Sequence, residues 1–289
     1  MLKIVEKKKI WFTISILIIV IGFGFMFTKG MNFGIDFRGG TQVVINMGTD
    51  FNKTDVDKIV DEYSKDAVTN QVNGTELQIK AKDLNSSQVN DIFKALKEKY
   101  DLKDDALVSQ NEIGASVGRD LTTNAIVALA IAVIGMLIYV IIRFEFSFGI
   151  AAIIALLHDV LITISVYAVF GITINTPFIA AILTIVGYSI NDTIVIFDRI
   201  RENRKKLRGK SVEEIADMSI TQTMSRSINT TLTTLITIVC VYIFVSTVRD
   251  FAFPLIVGIA SGACSSIFIA SPIWCILANR QKNKKAINK

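Results

Sequence analysis

At 289 residues, with 51% hydrophobic side chains and several long apolar runs, the chain reads as an integral membrane protein and not as a soluble enzyme. The formal net charge of +5 is unevenly spread: residues 28–123 hold 12 Lys/Arg and 16 Asp/Glu, 12 − 16 = −4, which leaves +9 for everything else. That split is a topology signal rather than a nucleic-acid footprint. Cys240, Cys264 and Cys275 all fall in apolar runs, so no disulfide framework is implied. A single His and the lack of CxxC, HExxH or Walker-type glycine motifs argue against a metal site, a cofactor or a nucleotide motor.

In chain order, Lys7-Lys8-Lys9 precede the apolar run 10–27, which is longer than a signal-peptide core and lacks a small-residue cleavage site; we read an uncleaved anchor. Further runs at 125–142, 148–170, 177–198, 228–247 and 251–277 complete six candidate spans. Basic residues cluster before the first span, at Arg143, in RIRENRKKLRGK (199–210) and in the tail RQKNKKAINK, whereas GITINT (171–176) carries no charge. The positive-inside rule therefore places both termini in the cytoplasm and the large loop outside.

That loop has the pattern of a small folded domain. TQVVINM reads as a strand; Thr54 to Lys65 places Val56, Ile59, Val60 and Tyr63 on one helical face, with Thr54 as N-cap. AVTNQV and TELQIKA flank Asn73-Gly74, a strong hairpin signal. Ser86 to Tyr100 repeats the helical period through Val89, Ile92, Phe93 and Leu96, and DALVSQ supplies a last strand. The order βαββαβ predicts a ferredoxin-like α+β domain. It holds no His, no Cys and no nucleophile paired with a base, which suits a binding or mechanical module. The expected architecture is thus an all-α membrane bundle of six transmembrane helices with one extracytoplasmic ferredoxin-like domain. Its parts are 1–27, the domain 28–123, the five-helix region 124–277 with a cytoplasmic loop 199–224, and the basic tail 278–289.

The most informative single residue is Asp192, inside the fourth apolar run and seven residues before Arg199, roughly 10 Å from the expected membrane border. An ionisable group at such a depth costs about 2.5–3.5 kcal/mol on insertion scales and is a functional candidate by default; a plain helix-to-helix hydrogen bond is the alternative. Gly187, Ser189, Asn191 and Thr193 make its surroundings the most polar part of the run, and Asp198 sits at the border. In the third run His158-Asp159 forms a second polar pair, open to either a proton relay or an interhelical hydrogen bond. Ser211 and Glu214 stand at capping-box spacing ahead of a short cytoplasmic helix. Arg226, where the fifth run begins, is either a positive-inside anchor or a neutralising partner for Asp192. Gly258, Gly262 and Ser266 recur every four residues, which permits close helix approach.

FGIDFRGGT (33–41), LLHDVLIT (156–163) and VGYSINDTIVIFDRIREN (186–203) occur in this order, and with six spans and one large first loop the whole chain resembles the SecF family of protein-export subunits. The resemblance implies membership of the RND superfamily and association with SecD, the SecYEG channel and often YajC. It also implies use of the proton-motive force to assist a preprotein late in its passage through the cytoplasmic membrane, without enzymatic chemistry. It implies proton-coupling roles for Asp192 and Arg226, supporting roles for His158, Asp159, Ser189, Asn191 and Asp198, and a family motif at Gly34, Asp36, Gly39 and Gly40. Two other classes stay open at this stage: an RND-type small-molecule or lipid transporter subunit, and a structural membrane scaffold.

Overall fold

The computed structural model describes residues 3–65, 67–72, 74–82, 84–207, 209–245 and 248–287. The chain divides into two compact units. One comprises Phe33–Ile126 with Ile174–Thr176; the other comprises Met1–Asn32, Val127–Thr173 and Pro177–Lys289.

The first unit begins with a one-turn helix α2 (Ile35–Arg38), which follows α1 (Lys8–Lys29) and leads into strand β1 (Gly40–Asn46). Helix α3 (Lys53–Tyr63), strands β2 (Val68–Val72) and β3 (Glu76–Ala81), helix α4 (Ser86–Tyr100) and strand β4 (Leu107–Ile113) follow. The sheet order is β2-β3-β1-β4 with every neighbouring pair antiparallel. Alternation sets the face: Val43, Ile45, Leu77 and Ile79 point into one core with Val56 and Val60 of α3 and Val89, Ile92 and Leu96 of α4. Period-2 and period-3.6 apolar positions therefore meet in one layer, as the sequence pattern requires.

Two local expectations need refinement. The N-cap of α3 is Asn52, whose side chain accepts the Thr54 amide at 3.0 Å, so Thr54 is already inside the helix. Asn ranks above Thr as an N-cap. Asn73 of the expected hairpin turn lies outside the described residues, while Gly74 has the positive φ of 83° that such a turn demands. Helix α4 matches its predicted bounds and is closed by a reciprocal capping box between Asn85 and Gln88.

The second unit contains the apolar helices. Together with α1 these are α5 (Ala115–Arg143), which starts in the first unit, α6 (Phe146–Phe170), α7 (Thr176–Lys206) and α8 (Val212–Phe244). Last come α9 (Arg249–Ser265) and α10 (Ser271–Ile287), joined by a π-helical turn Ser266–Ala270 into one long element. Among the described residues six helices are long and apolar enough to cross a membrane, counting α9 and α10 as one. The predicted cytoplasmic helix is not separate: α8 runs unbroken for 33 residues from its Ser211–Glu214 capping box. Nothing between Val212 and Phe244 is a Pro or Gly, so no residue interrupts the helix.

Half or more of the most apolar window of α6, α7 and the last span is buried, against about a tenth or less for α1, α5 and α8. Close packing explains the difference. A Cβ on Gly258 would fall 2.2 Å from Ile185, and one on Gly262 2.9 Å from Ser189, so this face of α9 lies directly on α7. Gly22 lets α1 approach α6 at Ser165 in the same way. At one end Phe148 stacks on Trp274 and meets Phe197 at a tilt, with ring centroids 4.9 and 4.8 Å apart.

Candidate functional site: two carboxylates in a helix bundle

Helix α7 presents Ser189, Asp192 and Thr193 on its buried side, because residues three and four apart share a face. Asp192 is 8% exposed. Its Oδ1 accepts the Ser227 hydroxyl of α8 at 2.7 Å. Its Oδ2 is buried and has no hydrogen-bond partner among the described residues. Arg226 is exposed and makes no salt bridge with it among the described residues; the neighbouring Ser227 is the residue that reaches the carboxylate.

Asp159 on α6, 1% exposed, is held quite differently. Ser189 of α7 and Ser265 of α9 donate to its Oδ2 at 2.6 and 2.8 Å, and Ser261 donates to Oδ1 at 2.8 Å. His158 Nδ1 lies 3.1 Å from the same Oδ1. Four contacts from three helices thus satisfy both oxygens, as a buried carboxylate requires. His158 Nε2 is buried without a hydrogen-bond partner among the described residues, and its ring lines an apolar cavity of about 330 Å³ with Trp11, Ser261, Cys264 and Phe268.

The two carboxylates are linked through α7. Ser189 bonds Asp159, and Thr193, one turn on, donates to the Ser189 carbonyl at 3.2 Å and shares a 2.7 Å hydrogen bond with Ser266. Ser266 opens the π turn, and the Ser271 hydroxyl donates to its carbonyl at 3.1 Å. Helix α8 is tied to α7 a second time by Tyr188, whose hydroxyl bonds the Thr230 carbonyl at 3.0 Å and Thr234 Oγ1 at 2.9 Å.

Of the residues singled out from sequence, Asp159, His158 and Ser189 come together, and Asp192 stands one turn from Ser189. Asn191 is exposed on the opposite side of α7. Asp198 pairs with Arg143 at 3.6 Å and Arg201 at 3.1 Å, apart from Asp192. Gly34, Asp36, Gly39 and Gly40 belong to the first unit, where the Asp36 carboxylate accepts the Thr176 amide at 2.7 Å. The sequence reading missed Ser227, Ser261, Ser265 and Tyr188. Hydroxyl side chains carry a weak sequence signal, because in helices they also bond their own backbone, as Thr230, Thr233, Thr234 and Thr237 do here. It also missed Asp217, whose buried Oδ1 accepts the amides of Ile4 and Val5 at 3.0 Å each and pins the start of the chain to α8.

The profile described as "Protein export membrane protein SecD/SecF, C-terminal" matches residues 92–280, and "SecD/SecF GG Motif" matches residues 24–51. The protein translocase subunit SecF of Sebaldella termitidis is 40% identical over 98% of this chain and 94% of its own length. The chain belongs to the SecF family of protein translocase subunits. A SecF of Petrotoga mobilis is 37% identical over 98% of each chain. In Thermus thermophilus the matching region, 36% identical, makes up 38% of a longer SecDF chain. The crystal structure of SecDF from that genus, a translocon-associated membrane protein, superposes with a TM-score of 0.86 at 34% identity, over 97% of this chain and 39% of that one. SecDF in a super-membrane-facing form superposes with a TM-score of 0.74. As a SecF-family chain with six candidate spans, the protein is a multi-pass membrane protein of the translocation apparatus.

Proposed function

We propose that this SecF-family chain uses the proton-motive force, together with SecD, to assist late preprotein translocation through SecYEG, with YajC as a further associate. In this reading Asp192 is the titrating group and Arg226 a nearby cation that tunes it. The observation that carries the reading is the half-satisfied Asp192 carboxylate, one oxygen held by Ser227 and the other buried without a partner. A proton on Oδ2 makes that oxygen a donor and removes the buried charge; its departure leaves a charge that favours another arrangement of α7 and α8. Asp159, by contrast, is hydrogen-bonded at both oxygens.

One proton crossing supplies about 2.3 kcal/mol per 100 mV. A complete two-state switch needs about 5.5 kcal/mol, so more than one proton or an added pH gradient drives each cycle. We place both termini in the cytoplasm and the domain 28–123 outside, and read its β2-β3-β1-β4 sheet as ferredoxin-like. The longer SecDF relatives support the SecD partnership, since they carry the matching region in one chain with more.

The test is translocation of a secretory precursor into vesicles holding this protein, SecD and the channel, with and without an imposed proton gradient. The expected result is that the gradient speeds late translocation for wild type and has no effect for Asp192→Asn. Equal stimulation in both would make Asp192 a packing residue.

A further inference from the structure

The short segment Phe33–Gly40 is in close contact with three separate parts of its unit. It meets the chain entering α7 at two residues: Phe33 forms a parallel bridge with Ile174, the Gly34 amide donating to the Ile174 carbonyl at 2.7 Å, and the Asp36 carboxylate accepts the amide of Thr176, the first residue of α7, at 2.7 Å. It meets α5 where Gly118 passes the Phe37 carbonyl so closely that a Cβ would stand 2.8 Å from that oxygen. It meets the sheet at Gly40, where a Cβ would stand 2.5 Å from the Ala81 carbonyl of β3 and where φ is 132°. Gly39, also at positive φ, closes α2 through a 2.8 Å bond to the Ile35 carbonyl, and β1 begins at the next residue.

Thr176 is the first residue of α7, so its amide is one of the donors that a helix leaves without an internal partner, and Pro177 has no amide to offer. A carboxylate at this end is favoured by both the free amide and the helix dipole. Asp36, 140 residues earlier, supplies it. From Thr176, α7 continues as one helix through Asp192, about 24 Å farther along its axis. An axial shift of the helix is felt at its first turn, and from there the bonded turn 36–40 leads straight into a strand.

We propose that Asp36 is a positioning residue that clamps the first turn of α7 to the 33–40 turn and passes movement of the Asp192-bearing helix to β1. This rests on the reading of Asp192 as the titrating group. Asp36 itself moves no proton and touches no preprotein. Its loss uncouples proton flow from translocation.

Two variants delete the same bond from opposite sides: Asp36→Ala removes the acceptor, and Thr176→Pro removes the donor at a helix position that tolerates proline. Vesicles with SecD and the channel are loaded with a pH dye, and gradient-driven proton entry and late translocation are recorded together. Each single variant is expected to keep proton entry within about twofold of wild type and to lose most of the gradient stimulation, about fivefold or more, with the double variant no worse than either. Asp36→Asn, which keeps the shape and a neutral acceptor, is expected to fall between. Wild-type stimulation in both single variants, or proton entry falling in step with stimulation in both, would overturn the clamp. Asp192→Asn, run alongside, is expected to lose both readouts; if it kept proton entry while Asp36→Ala uncoupled, the clamp would stand and the titrating-group assignment would fall.

Discussion

Asp192 and Asp159 are both buried carboxylates on apolar helices, and their difference lies in their donors. Asp159 receives three serine hydroxyls and faces His158, so deleting one donor leaves the others in place. Asp192 has one donor and one bare oxygen. Outside the membrane a third carboxylate shows how such contacts act on stability. Burial pushes Asp57 up, but hydrogen bonds from the Thr69 hydroxyl and the Lys53 ammonium outweigh it and hold the carboxyl below its usual range. A folded value below the unfolded value of about 3.9 means that the contribution is present above that pH and lost as pH falls through the folded value. Asp57→Asn should therefore unfold at lower temperature than wild type at pH 7, with the gap closing as pH falls through the lowered carboxyl range. Thermal melts across that range check it, and a gap independent of pH would show that the contact is not charge-dependent. The sequence exposed both membrane carboxylates at once, because charges stand out in apolar runs. It hid three of their serine partners, Ser227, Ser261 and Ser265, which come from 35, 102 and 106 residues away.

At the scale of elements, the period of the apolar residues made α3, α4 and the six spans legible, and the four-residue spacing of Gly258, Gly262 and Ser266 foretold a packing face. What it packs against was not legible, since spacing names a face and not its neighbour. The structure assigns Gly258 to Ile185 and Gly262 to Ser189 on α7. In lipid, where apolar burial gives no preference for protein over acyl chains, such close contact is a main source of helix association. Gly258→Leu should force α9 from α7 at a cost of about 1–3 kcal/mol, read as a lower melting temperature of the detergent-purified protein. Gly24→Leu on α1, where a Cβ meets nothing, is the control expected to melt like wild type. The continuity of α8 was also missed. A polar first half and an apolar second half look like two helices, yet hydrogen bonding runs through a change of solvent when no residue breaks it.

At the scale of the molecule, the unit that holds the sheet depends on one core beneath four strands, with Leu77 and Ile79 of β3 fully buried at its centre. Leu77→Ala should cost this unit about 2–5 kcal/mol while leaving the apolar helices intact. Hydrogen exchange is expected to quicken in β1, β3 and α4 and stay unchanged in α6 and α7; protection lost everywhere would mean that the two units unfold as one.

Length, apolar periodicity and charge asymmetry by themselves determined a six-span membrane chain with one α+β domain, because each is a local property that a bilayer or a pleated sheet reads directly. The three motifs placed it beside SecF. Only the tertiary structure decided that Ser227 rather than Arg226 touches Asp192, that Asp159 is saturated by α7 and α9, and that Asp36 holds the first amide of α7. Those contacts join residues 30 to 140 positions apart, where hydrogen-bond partners are chosen by helix packing and chain reversal and leave no periodic trace.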